Sequence, residues 1–221
     1  PSRPGQVPSR PGQVPSFPGQ VRWAEELGLK YEVMPIGPRT GETQTPEYTR
    51  MNRKQKIPFL VDGDIRLSES VAICRYLLGT YPNGEVYLPA TAEAKAKEDE
   101  WCCYIFGELD ETSLYVMRRH SDLADIYGAS EVVIASAAGY LKRHLDVLAQ
   151  HLANHEHLMA QGFSLPDLLL VSCLDWALFY GVELPPVVAQ YRDRIAQRAA
   201  YERAMQINYP DLFGGVANGT A

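Results

Sequence analysis

The chain has 221 residues, enough to bury one large core or two modest ones. Hydrophobic residues make up 46% and charged residues 22%, an ordinary balance for a globular protein. A net charge of −6 with no basic stripe speaks against a nucleic-acid partner, and no apolar run is long enough to span a bilayer. The N-terminus lacks the apolar segment of a signal peptide. The four cysteines (Cys74, Cys102, Cys103 and Cys173) form neither a CxxC pair nor a zinc-spaced cluster with histidine. They read as buried reduced thiols, which fits a reducing cytoplasm.

Residues 1–21 are a near-perfect threefold repeat, Pro-Ser-Arg-Pro-Gly-Gln-Val twice and then Pro-Ser-Phe-Pro-Gly-Gln-Val. Two prolines and a glycine in every seven residues forbid a coiled coil and favour extended chain. A first helix is expected from about Val21–Trp23 to Gly28, which suits a C-cap. Tyr31 to Ile36 reads as a strand, 37–46 as a loop and Pro46 to Asn52 as a short helical turn. Phe59-Leu60-Val61 is then an apolar strand. Asp62-Gly63 signals a hairpin, and Ile65 to Leu67 returns. Ser68 is placed to cap a helix running to Tyr81. The resulting order of helix, strand, helix, strand, strand, helix lacks an evident first strand.

A Pro-rich linker spans 82–89, and beyond it the pattern is almost wholly helical. Trp101, Ile105, Leu109 and Val116 recur at roughly helical intervals between Ala94 and His120. Ile134, Ala138, Leu141, Leu145, Leu148 and Leu152 step by fours and threes from Glu131 onward. Ser164-Leu165-Pro166-Asp167 opens a helix with Ser164 as N-cap, Asp167 reciprocating at the third position and a Phe163–Leu168 staple. That helix is apolar nearly all round and should be buried. A final, more polar helix is expected over Tyr191 to Ile207. The divisions expected are therefore the repeat (1–21), a mixed α/β domain (22–82), an all-helical domain (90–210) and a tail (211–221).

Two stretches carry a family resemblance. Asn52-Arg53-Lys54-Gln55-Lys56-Ile57-Pro58-Phe59-Leu60 followed by Ser68-Glu69-Ser70-Val71-Ala72-Ile73 resembles the glutathione-binding half of the cytosolic glutathione S-transferases, bacterial and theta-like members among them. Arg53 and Gln55 stand where that family often has Pro and Gly. Gly162-Phe163-Ser164-Leu165-Pro166-Asp167 resembles the cap of its buried C-terminal helix. The likeness runs from about Val21 to Ile207. It implies a thioredoxin-like α/β domain followed by an all-α domain, and glutathione as co-substrate with no metal. It also implies a homodimer and a small apolar electrophile as second substrate, in the detoxifying manner of such enzymes.

By the same resemblance, Pro58 is cis and the Ile57 backbone pairs with the cysteinyl unit of glutathione. Ser70 faces the γ-glutamyl carboxylate, Glu69 its ammonium, and Gln55 with Lys56 the glycyl carboxylate. The activating hydroxyl in this family lies just before the first helix. Ser16 is the candidate there, although it sits inside the third repeat, where a plain linker serine is the simpler reading. Tyr104, Phe106 and Tyr115 are candidates to line the second-substrate site, against the simpler reading as core aromatics. Of the five histidines (His120, His144, His151, His155 and His157), three crowd near residue 155, where a solvated helix end or loop is a simpler reading than a metal site. Two other functions stay open: a non-catalytic interaction module on the same scaffold, or a related glutathione-dependent dehalogenase, thiol lyase or peroxidase.

Overall fold

The structure, a computed structural model, describes residues 5–6, 19–36 and 41–209. The chain divides into two compact units. One comprises the residues up to Val86 together with those from Gln197 onward, and the other runs from Tyr87 to Ala196.

The first unit holds a four-stranded sheet in the order β2-β1-β3-β4. β1 (Gly5–Gln6) is parallel to β2 (Tyr31–Glu32) and antiparallel to β3 (Phe59–Asp62). A first strand therefore exists, within the first copy of the repeat. The alternation of apolar and polar residues that marks strands is lacking there, and so the sequence conceals it. β2 keeps only two residues of the six expected. β4 (Ile65–Ser68) pairs antiparallel with β3, Phe59 facing Ser68 and Asp62 facing Ile65. The turn is thus Gly63-Asp64, one residue later than Asp62-Gly63, and Gly63 supplies the positive φ of 56° that it requires. Asp62 is left buried, accepting hydrogen bonds from the hydroxyls of Tyr76 (2.9 Å) and Tyr81 (2.6 Å). Tyr76 within α3 (Ser70–Thr80) and Tyr81 at its C-cap tie that helix to the sheet.

α1 (Gly19–Glu26) begins earlier than expected and buries Val21, Trp23 and Ala24. The Trp23 indole donates to the Cys74 carbonyl of α3 at 2.7 Å. The opposite side of α1 packs on α10 (Ala199–Asn208). There Arg22 is fully buried with its guanidinium 4.1 Å from the Tyr201 ring centroid, and Arg198 grips Glu26 with two bonds of 2.8 and 2.7 Å. By packing, α10 therefore groups with the α/β unit, whereas the expected division places it in the helical domain. The expected last helix is in fact two. α9 (Pro186–Ala196) ends before Gln197, and Arg198 adopts an extended conformation ahead of α10.

The second unit is helical. α4 (Ala92–Tyr104) is capped by the Thr91 hydroxyl, which accepts from the Ala94 amide. It continues as a π-helix from Ile105 to Leu114, then α5 (Tyr115–His120) and the short α6 (Ala124–Tyr127). The π segment buries Ile105, Leu109, Asp110, Ser113 and Leu114. α7 (Glu131–Leu152) buries Ala137, Leu141, Leu145, Leu148 and Leu152. Ile134 and Ala138 are only half-buried, so near its start the inward face centres on Ala137. α8 (Leu165–Phe179) is buried on nearly every side, as its apolar run predicts.

The start of α8 is a knot of hydrogen bonds on Asp167. One carboxylate oxygen accepts from the amide (2.9 Å) and hydroxyl (2.7 Å) of Ser164. The other accepts from the Leu158 amide (2.9 Å) and the Tyr191 hydroxyl (2.7 Å). Phe163 and Leu168, the two members of the expected staple, are both buried.

Candidate glutathione-binding site

The candidate residues come together on one edge of the first unit, between the 52–58 loop and the start of α3. Asn52 organises the loop. Its side-chain amide donates to the Lys56 carbonyl at 2.8 Å, and its side-chain oxygen accepts from the Lys54 amide at 3.1 Å. The Tyr48 hydroxyl donates to the same Lys56 carbonyl at 2.7 Å, and burial raises that phenol's pKa. A main-chain bond from Gln55 to the Asn52 carbonyl closes the turn, with Gln55 at a φ of 54°.

Held this way, the chain enters a cis peptide at Ile57-Pro58 immediately before β3. The β3–β4 ladder starts at Phe59, so the Ile57 backbone precedes it. Lys56 and Gln55 lie beside it in the loop. The Gln55 side chain donates to the Thr49 hydroxyl at 2.9 Å.

Across from the loop, Glu69 rather than Ser68 is the N-cap of α3; Ser68 is the last residue of β4. Glu69 has φ 74° and ψ 122°, a conformation costing a non-glycine residue about 1–3 kcal/mol. Its side chain makes no cap bond, so the first amides of α3 stay available to an external acceptor. Ser70 follows as the first helical residue. It is buried, and its hydroxyl makes no hydrogen bond among the described residues. The Glu69 carboxylate instead reaches outward to the Lys54 ammonium at 2.6 Å, joining loop to helix. Both side chains are more than half exposed, and such a pair contributes about 0–1 kcal/mol and exchanges readily.

The geometry suits an extended ligand bearing a carboxylate. A helix N-terminus with a buried serine hydroxyl, a carboxylate able to meet an ammonium, and the main chain leading into β3 all lie on this edge. Sequence reasoning missed Lys54, Tyr48 and the full part played by Asn52. Asn52 and Lys54 lie within the stretch that carries the family resemblance, and Tyr48 lies outside it.

Ser16 lies outside the described residues. Tyr104 lines a 720 Å³ cavity within the helical unit, together with Trp101, Val147, His151, Leu158 and Met159. Burial, then the Glu108 and Tyr140 charges, push its phenol up to about 12. Phe106 and Tyr115 are not among the residues lining that cavity. His151 stacks face to face on His155 at 4.2 Å, and burial holds it below the usual histidine range.

Residues 13–79 match the model of the glutathione S-transferase N-terminal domain, and residues 108–199 that of the glutathione S-transferase C-terminal domain. Glutathione S-transferase 3 of Zea mays is 35% identical over 151 residues, 64% of this chain and 64% of that protein. Glutathione S-transferase F10 of Arabidopsis thaliana is 29% identical over 189 residues, 80% of this chain and 86% of that one. Among solved structures, the theta class glutathione S-transferase of Xanthomonas axonopodis pv. citri, with glutathione bound, has a TM-score of 0.75 and 25% identity. That similarity covers 91% of this chain and 97% of that one. A thioredoxin-like sheet carrying a cis proline, a helical unit with a capped buried helix, and two matching domain models lead to one assignment: the chain belongs to the glutathione S-transferase family.

Proposed function

We propose that this protein is a glutathione transferase that activates the glutathione thiol for addition to small apolar electrophiles. The observation that carries the reading is the juxtaposition of the cis Ile57-Pro58 edge with the positive-φ entry into α3. The Ile57 backbone pairs with the cysteinyl unit as an added strand would. The first α3 amides and the Ser70 hydroxyl take the γ-glutamyl carboxylate, where helix-end charge favours an anion. Glu69 takes the neighbouring ammonium, exchanging its exposed bond to Lys54 for it. Gln55 and Lys56 meet the glycyl carboxylate. No metal takes part.

The thiol of bound glutathione supplies the nucleophile once its proton has left to solvent. Its sulfur then bonds to the electrophilic carbon, and the electron pair of the broken bond goes to the leaving group or to the adjacent atom. Ser16 is the proposed donor that stabilises the thiolate, a role supported by its position before α1 and by the family resemblance. The reading extends to a homodimer acting in the cytoplasm in detoxification. The cytoplasmic part is supported by four free cysteines, the state a reducing compartment maintains.

Calorimetric titration with glutathione tests the binding half. Ser70→Ala should weaken binding about 10-fold or more, from the loss of one charge-assisted bond of about 1.5–3 kcal/mol. An unchanged dissociation constant with an unchanged fold removes Ser70 from the site. A conjugation assay with an activated chloronitrobenzene tests the chemistry; glutathione binding without turnover would favour the interaction module instead.

A further inference from the structure

We propose that Tyr48 is a positioning residue of the glutathione site: its hydroxyl, together with the Asn52 side chain, holds the Lys56 carbonyl inward and so turns the Ile57 amide out toward the cysteinyl carbonyl of glutathione. This role presupposes that the edge binds glutathione. Tyr48 sits in α2 (Pro46–Met51) and is 2% exposed. Its main chain is fixed on both sides. The amide donates to the Thr45 hydroxyl at 3.2 Å, and the carbonyl accepts from the Asn52 amide at 2.7 Å. Its ring packs edge-on against Phe59, the first residue of β3, with centroids 6.4 Å apart. The hydroxyl at the end of that ring is thus held in one place.

Two donors converge on the Lys56 carbonyl, the Tyr48 hydroxyl at 2.7 Å and the Asn52 side-chain amide at 2.8 Å. A carbonyl oxygen has two lone pairs, and these two bonds match them. The Lys56–Ile57 peptide is trans, the cis bond being the next one along. In a planar trans peptide the N–H points opposite to the C=O. Holding the oxygen against the buried Tyr48 and Asn52 therefore points the Ile57 N–H the other way, out of the loop. That amide makes no hydrogen bond among the described residues, and Ile57 is only half-buried. Hydrogen bonds in series polarise one another, so a peptide whose carbonyl accepts two bonds is also a better donor at its nitrogen. Burial keeps the Tyr48 phenol protonated, with its pKa above the ordinary tyrosine value, so the donor persists at neutral pH. Tyr48 and Asn52 act through the peptide between Lys56 and Ile57, not by touching the ligand.

The test uses the full chain carrying isotope-labelled isoleucine, with glutathione titrated by calorimetry and by amide spectra. In wild type, glutathione should shift the Ile57 amide resonance and slow its exchange with solvent. Tyr48→Phe keeps the ring and its packing and removes only the hydroxyl. Its dissociation constant for glutathione should rise about fivefold, the equivalent of one neutral hydrogen bond. At saturating glutathione its Ile57 amide should exchange faster than in wild type. A tyrosine that only braced α2 would lower the urea midpoint and leave affinity and Ile57 exchange in the folded protein unchanged. Asn52→Asp keeps the acceptor for the Lys54 amide and sets an oxygen against the Lys56 carbonyl in place of the donor, so its dissociation constant should rise about tenfold. It decides the matter if Tyr48→Phe does not fold. The proposal is overturned if the folded variant binds glutathione as wild type does, or if bound glutathione leaves the wild-type Ile57 amide unshifted and unprotected. Failure of wild type to bind glutathione at all overturns the glutathione reading, and this role with it.

Discussion

Replacing Asp167 by alanine should destabilise the protein well beyond the loss of an ordinary helix cap. A cap residue alone contributes about 0.5–2 kcal/mol. Asp167 is fully buried and accepts four hydrogen bonds, two from main-chain amides that cannot turn elsewhere and two from hydroxyls. Each buried donor left without an acceptor costs about 1–3 kcal/mol. The Ser164 hydroxyl can rotate to another acceptor. The Leu158 and Ser164 amides cannot, and Tyr191 is itself 1% exposed. The expected loss is therefore about 4 kcal/mol, a large share of the 5–15 kcal/mol typical of a whole domain. Urea denaturation at neutral pH measures it, with the slope checked for two-state behaviour. Tyr191→Phe should cost about 1 kcal/mol alone, and the double variant should show coupling of at least about 0.5 kcal/mol. A loss of 1 kcal/mol or less for Asp167→Ala, or additive behaviour with Tyr191→Phe, would refute the four-bond account.

Arg198→Ala should cost about 3 kcal/mol, because it leaves the buried Glu26 carboxylate uncompensated; adding Glu26→Gln should restore part of that stability in the same urea assay. Asp110 should make stability fall with rising pH. Its folded pKa of about 7 lies above the unfolded 3.8, so its contribution is fully present below about pH 4 and is lost as pH rises through 7. The advantage of Asp110→Asn over wild type should therefore grow across that window by at most about 4 kcal/mol, and parallel stability curves would show that the carboxyl is not desolvated. Ser16→Ala should raise the apparent thiol pKa of the glutathione complex by about 1–2 units and lower turnover without altering affinity. Ultraviolet difference titration reads that pKa directly, and an identical value in both proteins removes Ser16 from the chemistry.

The parts of this fold legible in the sequence are those whose physics is local. The Ser164/Asp167 pair announces its cap by spacing alone, and the all-round apolar run of α8 announces its burial. The β3–β4 hairpin is legible too, though its turn sits one residue later, because Gly63 can occupy either central position. What escaped depends on distant partners or on unfavourable geometry. Nothing about Glu69 as a residue predicts a φ of 74°; the surrounding chain imposes it. Lys54 became visible only when folding set it beside Glu69, fifteen residues away. The break between α9 and α10 carries no proline or glycine, and the partners that α10 meets, Arg22 on Tyr201 and Glu26 on Arg198, lie far away in the sequence. The π-helix from Ile105 to Leu114 also escaped, because Trp101, Ile105, Leu109 and Val116 fit an ordinary helical period.

The grouping of α10 with α1 makes the first unit discontinuous along the chain, and this orders its assembly. During synthesis from the N-terminus, the residues from Tyr87 to Ala196 acquire every partner of their own unit before translation ends. The sheet unit cannot: Arg22 lacks its aromatic cover and Glu26 its cation until Tyr201 and Arg198 have emerged. The helical unit should therefore mature first, and the older segment should wait in a partly open state for its closing helix. A fragment cut at the linker after Val86 would carry that open state permanently, with a charged arginine and an apolar helix face where α10 belongs. Swapping sheet units between relatives thus requires the matching last helix to travel with them.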